Sequence, residues 1–177
     1  MNEKKLSSTD VFKGKVISLR VDKILSDNGK TAEREVISHN GGAAIVAARG
    51  GKILLEKQFR YPYGEVIWEI PAGKREKNEE FIETAKRELE EETGLIPLNL
   101  RSVFNVYPSP GYTDEVIAIF YADEFQSGVR HLDETEDISA VWLDEEEVYS
   151  MIEKGEIKDA KTLIGVLWYK NTKNERS

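Results

Sequence analysis

With 177 residues the chain is long enough for one domain with a substantial core plus an appended element. Its formal net charge of -8, from 33 acidic against 25 basic residues, argues against a nucleic-acid backbone as the main partner and leaves metal-shielded anions as reasonable substrates. Cysteine is absent, which excludes disulfides, thiolate nucleophiles and thiolate zinc sites; no stretch approaches the roughly 18 consecutive apolar residues that span a bilayer, and MNEKKLSSTD has no apolar signal core, so a cytoplasmic, membrane-free protein is expected.

Ile17, Leu19 and Val21 alternate within residues 16–25, and Asp27-Asn28-Gly29-Lys30 supplies a turn before a second strand-like run over 34–38. Together these predict an N-terminal hairpin. The apolar run 43–48 turns through Arg49-Gly50-Gly51-Lys52 into 53–59, a second hairpin expected at the centre of the main sheet. Residues 66–70 lead through Pro71 towards a helix in which Ile82, Ala85 and Leu89 recur at i, i+3 and i+7. Glu79 and Glu80 suit its positive N-terminal end, and Gly94 is the expected residue just past its C-terminus.

Beyond that helix, 102–107 and 115–122 read as strands separated by the stiff loop Pro108-Ser109-Pro110-Gly111-Tyr112-Thr113-Asp114. Residues 123–137 read as a long polar surface loop and 140–143 as a short strand. Asp144, with Glu147 three positions on, reads as a variant capping box opening a helix that stops at Gly155. A last helix carries Ala160, Leu163, Ile164, Leu167 and Trp168 on one stripe, and the polar tail from Lys170 is expected to fray.

The first helix places Glu88, Glu90, Glu91 and Glu92 in its last two turns, where the macrodipole is negative and each anion costs roughly a few tenths of a kcal/mol. Glu88 and Glu92 are an i, i+4 pair and Glu91 lies three residues from Glu88, so the three share a face and repel without a counterion. Hard oxygen ligands at that density suit Mg²⁺ or Mn²⁺. The alternative is a solvated acidic face partly neutralised by Lys86 and Arg87.

Gly73, Glu79, Arg87, Glu88, Leu89, Glu91, Glu92, Gly94 and Leu95 fill every fixed position of G-x5-E-x7-R-E-U-x-E-E-x-G-U, with U bulky and aliphatic. The segment resembles the Nudix box. That resemblance implies an α/β/α sandwich with a mixed central sheet and an N-terminal antiparallel hairpin or sheet, hydrolysing nucleoside diphosphates linked to another group with Mg²⁺, or Mn²⁺ in its place. It implies a sheet element over 1–40 that forms a dimer, a hydrolase domain over 41–170 and a disordered tail over 171–177. Glu88 and Glu92 become the principal metal ligands, Glu91 a further one, and Ala72 a ligand through its carbonyl. Arg87 pairs with Glu79 to brace the helix, with Gly73 and Gly94 structural.

Pro110, sixteen residues after Gly94 and followed by Gly111, is similar to the proline that marks ADP-ribose pyrophosphatases within that family. Asp133-Glu134-Thr135-Glu136-Asp137-Ile138 resembles their acidic loop, which implies Glu134 as general base and Glu136 as a carboxylate that reaches the metal. By the same likeness Arg60 is directed at the diphosphate, Arg34 at the adenine and terminal ribose and Glu115 at ribose hydroxyls, with Trp68, Glu69, Pro110 and Gly111 also at the substrate. Each also has an ordinary reading as surface charge or core aromatic. His39 and His131 lack ligand spacing and read as structural or solvated. The resemblance further implies a homodimer that exchanges its N-terminal sheet, with Arg34 acting in trans. The expected reaction converts ADP-ribose to AMP and ribose 5-phosphate. Another ADP-sugar or GDP-mannose as substrate, or a non-catalytic sensor, remain the alternatives; retention of Glu88, Glu91 and Glu92 weighs against the last.

Overall fold

A computed structural model of the chain describes residues 2–132 and 137–174. It divides into two contact units, Met1–Gly41 with Tyr107–Val116, and Gly42–Val106 with Ile117–Ser177.

The first unit is a three-stranded antiparallel sheet of β1 (Glu3–Lys13), β2 (Ile17–Ser26) and β3 (Thr31–His39) in that order. The expected hairpin is β2–β3, turned through Gly29 at φ 77°, a conformation open to a residue without a β-carbon. Strand β1 is absent from the sequence-based expectation because EKKLSSTDVFK has no sustained alternation. All eleven of its residues are exposed, and its register on β2 slips at Lys5/Ser7 and at Asp10/Phe12. Residues 107–116 dock on β3: the Ile37 amide donates to Tyr112 O at 2.7 Å, and the Asp114 amide donates to Ile37 O at 3.1 Å. The Asp114 carboxylate accepts from the His39 amide at 2.9 Å and from Ser38 Oγ at 2.8 Å.

The second unit is built on strict alternation in β4 (Gly42–Arg49). Ala43, Ile45 and Ala47 face one side and Ala44, Val46 and Ala48 the other, all of them buried. A strand apolar on both faces must be covered on both. On the first face lies α1 (Phe81–Thr93), through Ala85 and Leu89; burying a leucine such as Leu89 completely contributes about 2 kcal/mol. On the second lie α2 (Glu145–Glu153) and α3 (Ala160–Asn174), through Val148, Tyr149, Met151 and Val166. This is the α/β/α sandwich that the sequence predicts.

The sheet between those layers runs β12 (Ile138–Asp144), β5 (Lys52–Arg60), β4, β10 (Ile117–Ala122), β9 (Arg101–Val106). Only β10 and β4 pair in parallel, so the sheet is mixed. β4 and β5 bond only beside their turn, at Ala48 with Ile53 and Arg49 with Lys52. Farther along they part, and the chain fills the gap: β6 (Glu65–Glu69) takes the edge of β5, β7 (Ala72–Lys74) takes that of β4, and the Ile45 amide donates to Pro71 O at 2.9 Å. This wedge delivers Ala72 and Gly73 to the α1 layer.

Several local expectations are corrected. Within 123–137, residues Phe125–Ser127 form β11 and pair with β8 (Leu95–Pro97), strands too short to show a period in sequence. The strand expected at 140–143 extends over the whole of β12. Asp144 stands at the N-cap of α2, but its carboxylate turns to Lys52 Nζ at 2.8 Å and makes no capping bond. α3 buries Thr162 and Val166 completely and leaves Leu167 43% exposed, so its inward face is rotated from the predicted stripe. The cause is Gly165, where a β-carbon would come 2.7 Å from Val46 Cγ2: the helix approaches the sheet most closely there, and helix continues to Asn174 beyond the expected fraying point. No helix of the described residues is long and apolar enough to cross a membrane.

Candidate active site

Glu88, Glu91 and Glu92 leave α1 towards the wedge, and each has a partner that explains how like charges coexist. Arg87 is the hub. Its Nη1 donates to Glu88 Oε1 at 2.8 Å and to Glu91 Oε2 at 3.0 Å, while Nε and Nη2 donate to the two oxygens of Glu79 at 3.0 and 3.1 Å and Nη2 also reaches Lys74 O. Glu79 additionally accepts from the Glu76 amide and Thr84 Oγ1. Held first by Arg87 and then by these donors, its carboxyl falls to about 2. The same partners, Glu79 foremost, raise the Arg87 guanidinium above its ordinary value. The expected Arg87–Glu79 brace is therefore present, and Arg87 also holds Glu88 and Glu91.

Glu92 is 4% exposed, and its Oε2 accepts from the Ala72 amide at 3.0 Å. Glu88 lies against Gly73 so closely that a β-carbon there would be 1.9 Å from Glu88 Cδ. Gly73 is thus a cradle for the carboxylate. Gly94 closes α1 at φ 72°, its amide donating to Glu90 O at 2.8 Å, as expected of that position.

The negative end of α1 is neutralised from a segment that the sequence reading left as a plain loop. The last turn contains no basic residue. Instead the Gly128 amide donates to Gly94 O, the His131 amide to Glu91 O at 3.0 Å, and Arg130 Nε to Glu92 O at 2.6 Å. Arg130 Nη2 also bonds Ile138 O, which anchors both flanks of residues 133–136. Glu134 and Glu136, expected as general base and loop carboxylate, lie outside the described residues.

A second charged group adjoins the first. Arg60 Nε and Nη2 make a two-point bond to Glu69 at 2.6 and 2.8 Å. Glu69 is 3% exposed and also pairs with Lys161, which pairs with Asp159 at 3.1 Å. Burial alone would raise the Glu69 carboxyl, but Arg60 and Lys161 together bring it below its ordinary value. Thr162 completes the support from α3: its Oγ accepts from the Ile70 amide at 2.8 Å and donates to Asp159. Glu56 faces the same region, opposite Glu69 across the β5–β6 pair. Burial pushes its carboxyl up to about 7, against a hydrogen bond shared with Glu92. Trp68 packs at the core edge with Lys57 Nζ 4.4 Å from its ring centre, whereas Tyr61 and Tyr63 are exposed.

The remaining candidates belong to the first unit. Arg34 bonds Glu3 of β1 through Nε and Nη2. Glu115 Oε1 lies 3.2 Å from His39 Nδ1, a pairing that a reading of His39 as a lone histidine misses. Pro110 and Gly111 lie in the loop docked on β3.

The donor set fits a hard divalent cation: carboxylates of Glu88, Glu91 and Glu92, with Ala72 bonded to Glu92 through its amide and a glycine where a side chain would displace Glu88. Among the described residues no three carboxylate or imidazole groups are already gathered at coordinating distance, since Arg87 draws Glu88 and Glu91 to itself. The sequence reading missed Glu56, Lys161 and Arg130. Glu56 carried a signal, as a lone acid continuing the apolar run Ile53-Leu54-Leu55; Lys161 and Arg130 carried none.

The chain matches the NUDIX domain over residues 38–164 and the nucleoside diphosphate sugar hydrolase N-terminal domain over residues 3–37. It is 41% identical over 169 residues to the ADP-ribose pyrophosphatase of Bacillus subtilis (strain 168), covering 94% of this chain and 91% of that one. It is 37% identical over 167 residues to the methanol dehydrogenase activator of Bacillus methanolicus, covering 93% and 90%. A crystal structure of an ADP compounds hydrolase superposes with a TM-score of 0.89 at 17% identity, covering 100% of this chain and 97% of that one, which is likeness of fold.

Proposed function

We propose, from the premise that this chain belongs to the NUDIX family and is a Nudix hydrolase, that it cleaves the diphosphate of ADP-ribose to AMP and ribose 5-phosphate. The observation that carries the chemistry is the placing of Glu88 and Glu92 against Gly73 and Ala72. The substrate reading is supported by the ADP-ribose pyrophosphatase of Bacillus subtilis, to which the chain is similar along nearly its whole length.

Glu88 and Glu92, with Glu91 and the Ala72 carbonyl, would hold Mg²⁺, with Mn²⁺ as a substitute. When bound, the cation supplies charge neutralisation on the diphosphate and activation of water. Arg87 holds Glu88 and Glu91 beside the wedge until a cation replaces it as their counterion, and Glu79 keeps Arg87 in place. Arg60, fixed by Glu69, is directed at the diphosphate as a fork of donors suited to phosphate oxygens. Arg34 and Glu115 are proposed contacts for adenine and ribose, Glu134 as the proton acceptor and Glu136 as a loop carboxylate. The exposed strand β1, with Leu6, Val11 and Phe12 each about half exposed, supports a homodimer formed through the N-terminal sheet. A monomeric mass by light scattering would remove that part. The cysteine-free sequence suits a reducing cytoplasm.

The test is incubation with ADP-ribose, ADP-glucose, GDP-mannose and NADH, with Mg²⁺ and then with EDTA, following products. EDTA-sensitive release of AMP, fastest from ADP-ribose, is expected. Faster turnover of another sugar overturns the substrate reading and keeps the hydrolase, while no turnover of any would leave the chain a binding module.

A further inference from the structure

Glu56 is 3% exposed and follows Ile53, Leu54 and Leu55, none more than 2% exposed, so an apolar residue would continue the pattern. Alternation puts Glu56 on the face of β5 that Leu54 shares with α1. Directly opposite on β6 is Glu69, itself an acid and already engaged by Arg60 and Lys161. Glu56 also shares a hydrogen bond with Glu92, for which one of the two carboxyl groups carries the proton. Its Oε1 is buried with no hydrogen-bond partner among the described residues.

Leaving a polar atom buried and unpaired is destabilising, more so when it is charged. Packing cannot repay this. Arg130 and Lys161 are close enough to act on Glu56, yet Arg130 bonds the carbonyls of Glu92 and Ile138, and Lys161 bonds Glu69 and Asp159. The partner of Oε1 is therefore one that these groups do not supply. A small donor lodged between Glu56 and Glu92 would complete it.

We infer that Glu56 is a positioning residue of the divalent-cation site: one oxygen orients Glu92, and the free Oε1 is completed by the hydration shell of the cation that Glu88 and Glu92 hold. The inference rests on the reading of Glu92 as a cation ligand. Mg²⁺ dehydrates reluctantly and keeps several waters, so an acceptor just outside the ligand set fixes the shell's orientation. Removing such a partner lowers metal affinity by about 10–100-fold.

The experiment titrates the full chain with Mn²⁺, reading free Mn²⁺ by electron paramagnetic resonance, and measures cation-free melting of each variant. Glu56→Leu is expected to weaken binding by about 10–100-fold while melting no lower than the natural chain. Glu56→Met serves where leucine disturbs packing, and Glu56→Gln, whose amide oxygen still accepts, should retain most of the affinity. Wild-type Mn²⁺ affinity in the apolar variants, or a loss that follows a matching fall in cation-free stability, overturns the inference. Glu92→Gln separates the two readings. If it weakens binding while the Glu56 variants do not, only the role of Glu56 falls; if it binds Mn²⁺ like the natural chain, the cation site itself falls and this inference with it.

Discussion

A β-carbon on Gly73 would sit 1.9 Å from Cδ of Glu88, inside any possible van der Waals contact. The backbone of the wedge and the carboxylate on α1 are therefore a matched pair, and the smallest side chain separates them. Gly73→Ala should leave the fold intact and displace Glu88 by about an ångström, a shift that can cost about 10²-fold in rate. Steady-state turnover beside a thermal melt checks this; an active, normally melting alanine variant would show that Glu88 placement is not critical.

Glu92→Gln keeps the size of the side chain and removes its charge beside the Ala72 amide. Turnover should fall by roughly 10²–10³, the scale of losing one preorganised electrostatic group at a reacting centre. Circular dichroism should be unchanged.

Glu79 sets an acid limit on stability. Its carboxyl is held at about 2 against an ordinary 4.5, chiefly by Arg87. The folded state thus favours the charged form, and the contribution is complete above about 4.5 and lost as pH falls through about 2. Denaturant titrations across that window should show the natural chain losing stability, and Glu79→Gln starting lower at neutral pH and losing less. Equal slopes for the two would remove Glu79 from the account.

Glu69→Gln loosens the two-point bond to Arg60 without emptying its place. If Arg60 serves binding of the diphosphate in ground state and transition state alike, KM should rise about tenfold with kcat little changed. An equal fall in kcat at constant KM would instead place Arg60 at the transition state alone.

Arg130→Met keeps the stem and removes the donors to Glu92 O and Ile138 O. Stability should drop by about 1–3 kcal/mol, the scale for charged hydrogen bonds, measured by urea unfolding. No change would mean that the Gly128 and His131 amides suffice to close α1.

Periodicity made much of this molecule legible. The apolar run that became β4 and the glycine turn into β5 were both legible, and the spacing of Ala85 and Leu89 names the buried face of α1 directly. The Nudix box singles out Glu88, Glu91 and Glu92 from the residues alone. What stayed hidden depended on partners distant in sequence. The strand β1 exists because β2 offers an edge, not because its own residues alternate. α3 turns its face according to where Gly165 meets Val46, and Arg130 closes α1 from 38 residues beyond Glu92. Glu56 differed in kind: its oddity was visible, but its meaning required knowing that Glu69 and Glu92 flank it.

The bond from the Ile70 amide to Thr162 Oγ spans 92 residues. During synthesis every box carboxylate leaves the ribosome long before α3 exists, and at roughly 5–20 residues per second Ile70 waits about 5–18 s for its acceptor. A nascent chain halted before α3 would carry the full set of box carboxylates while the strand that leads to them stayed unbuttressed, so competence at this site arrives with α3.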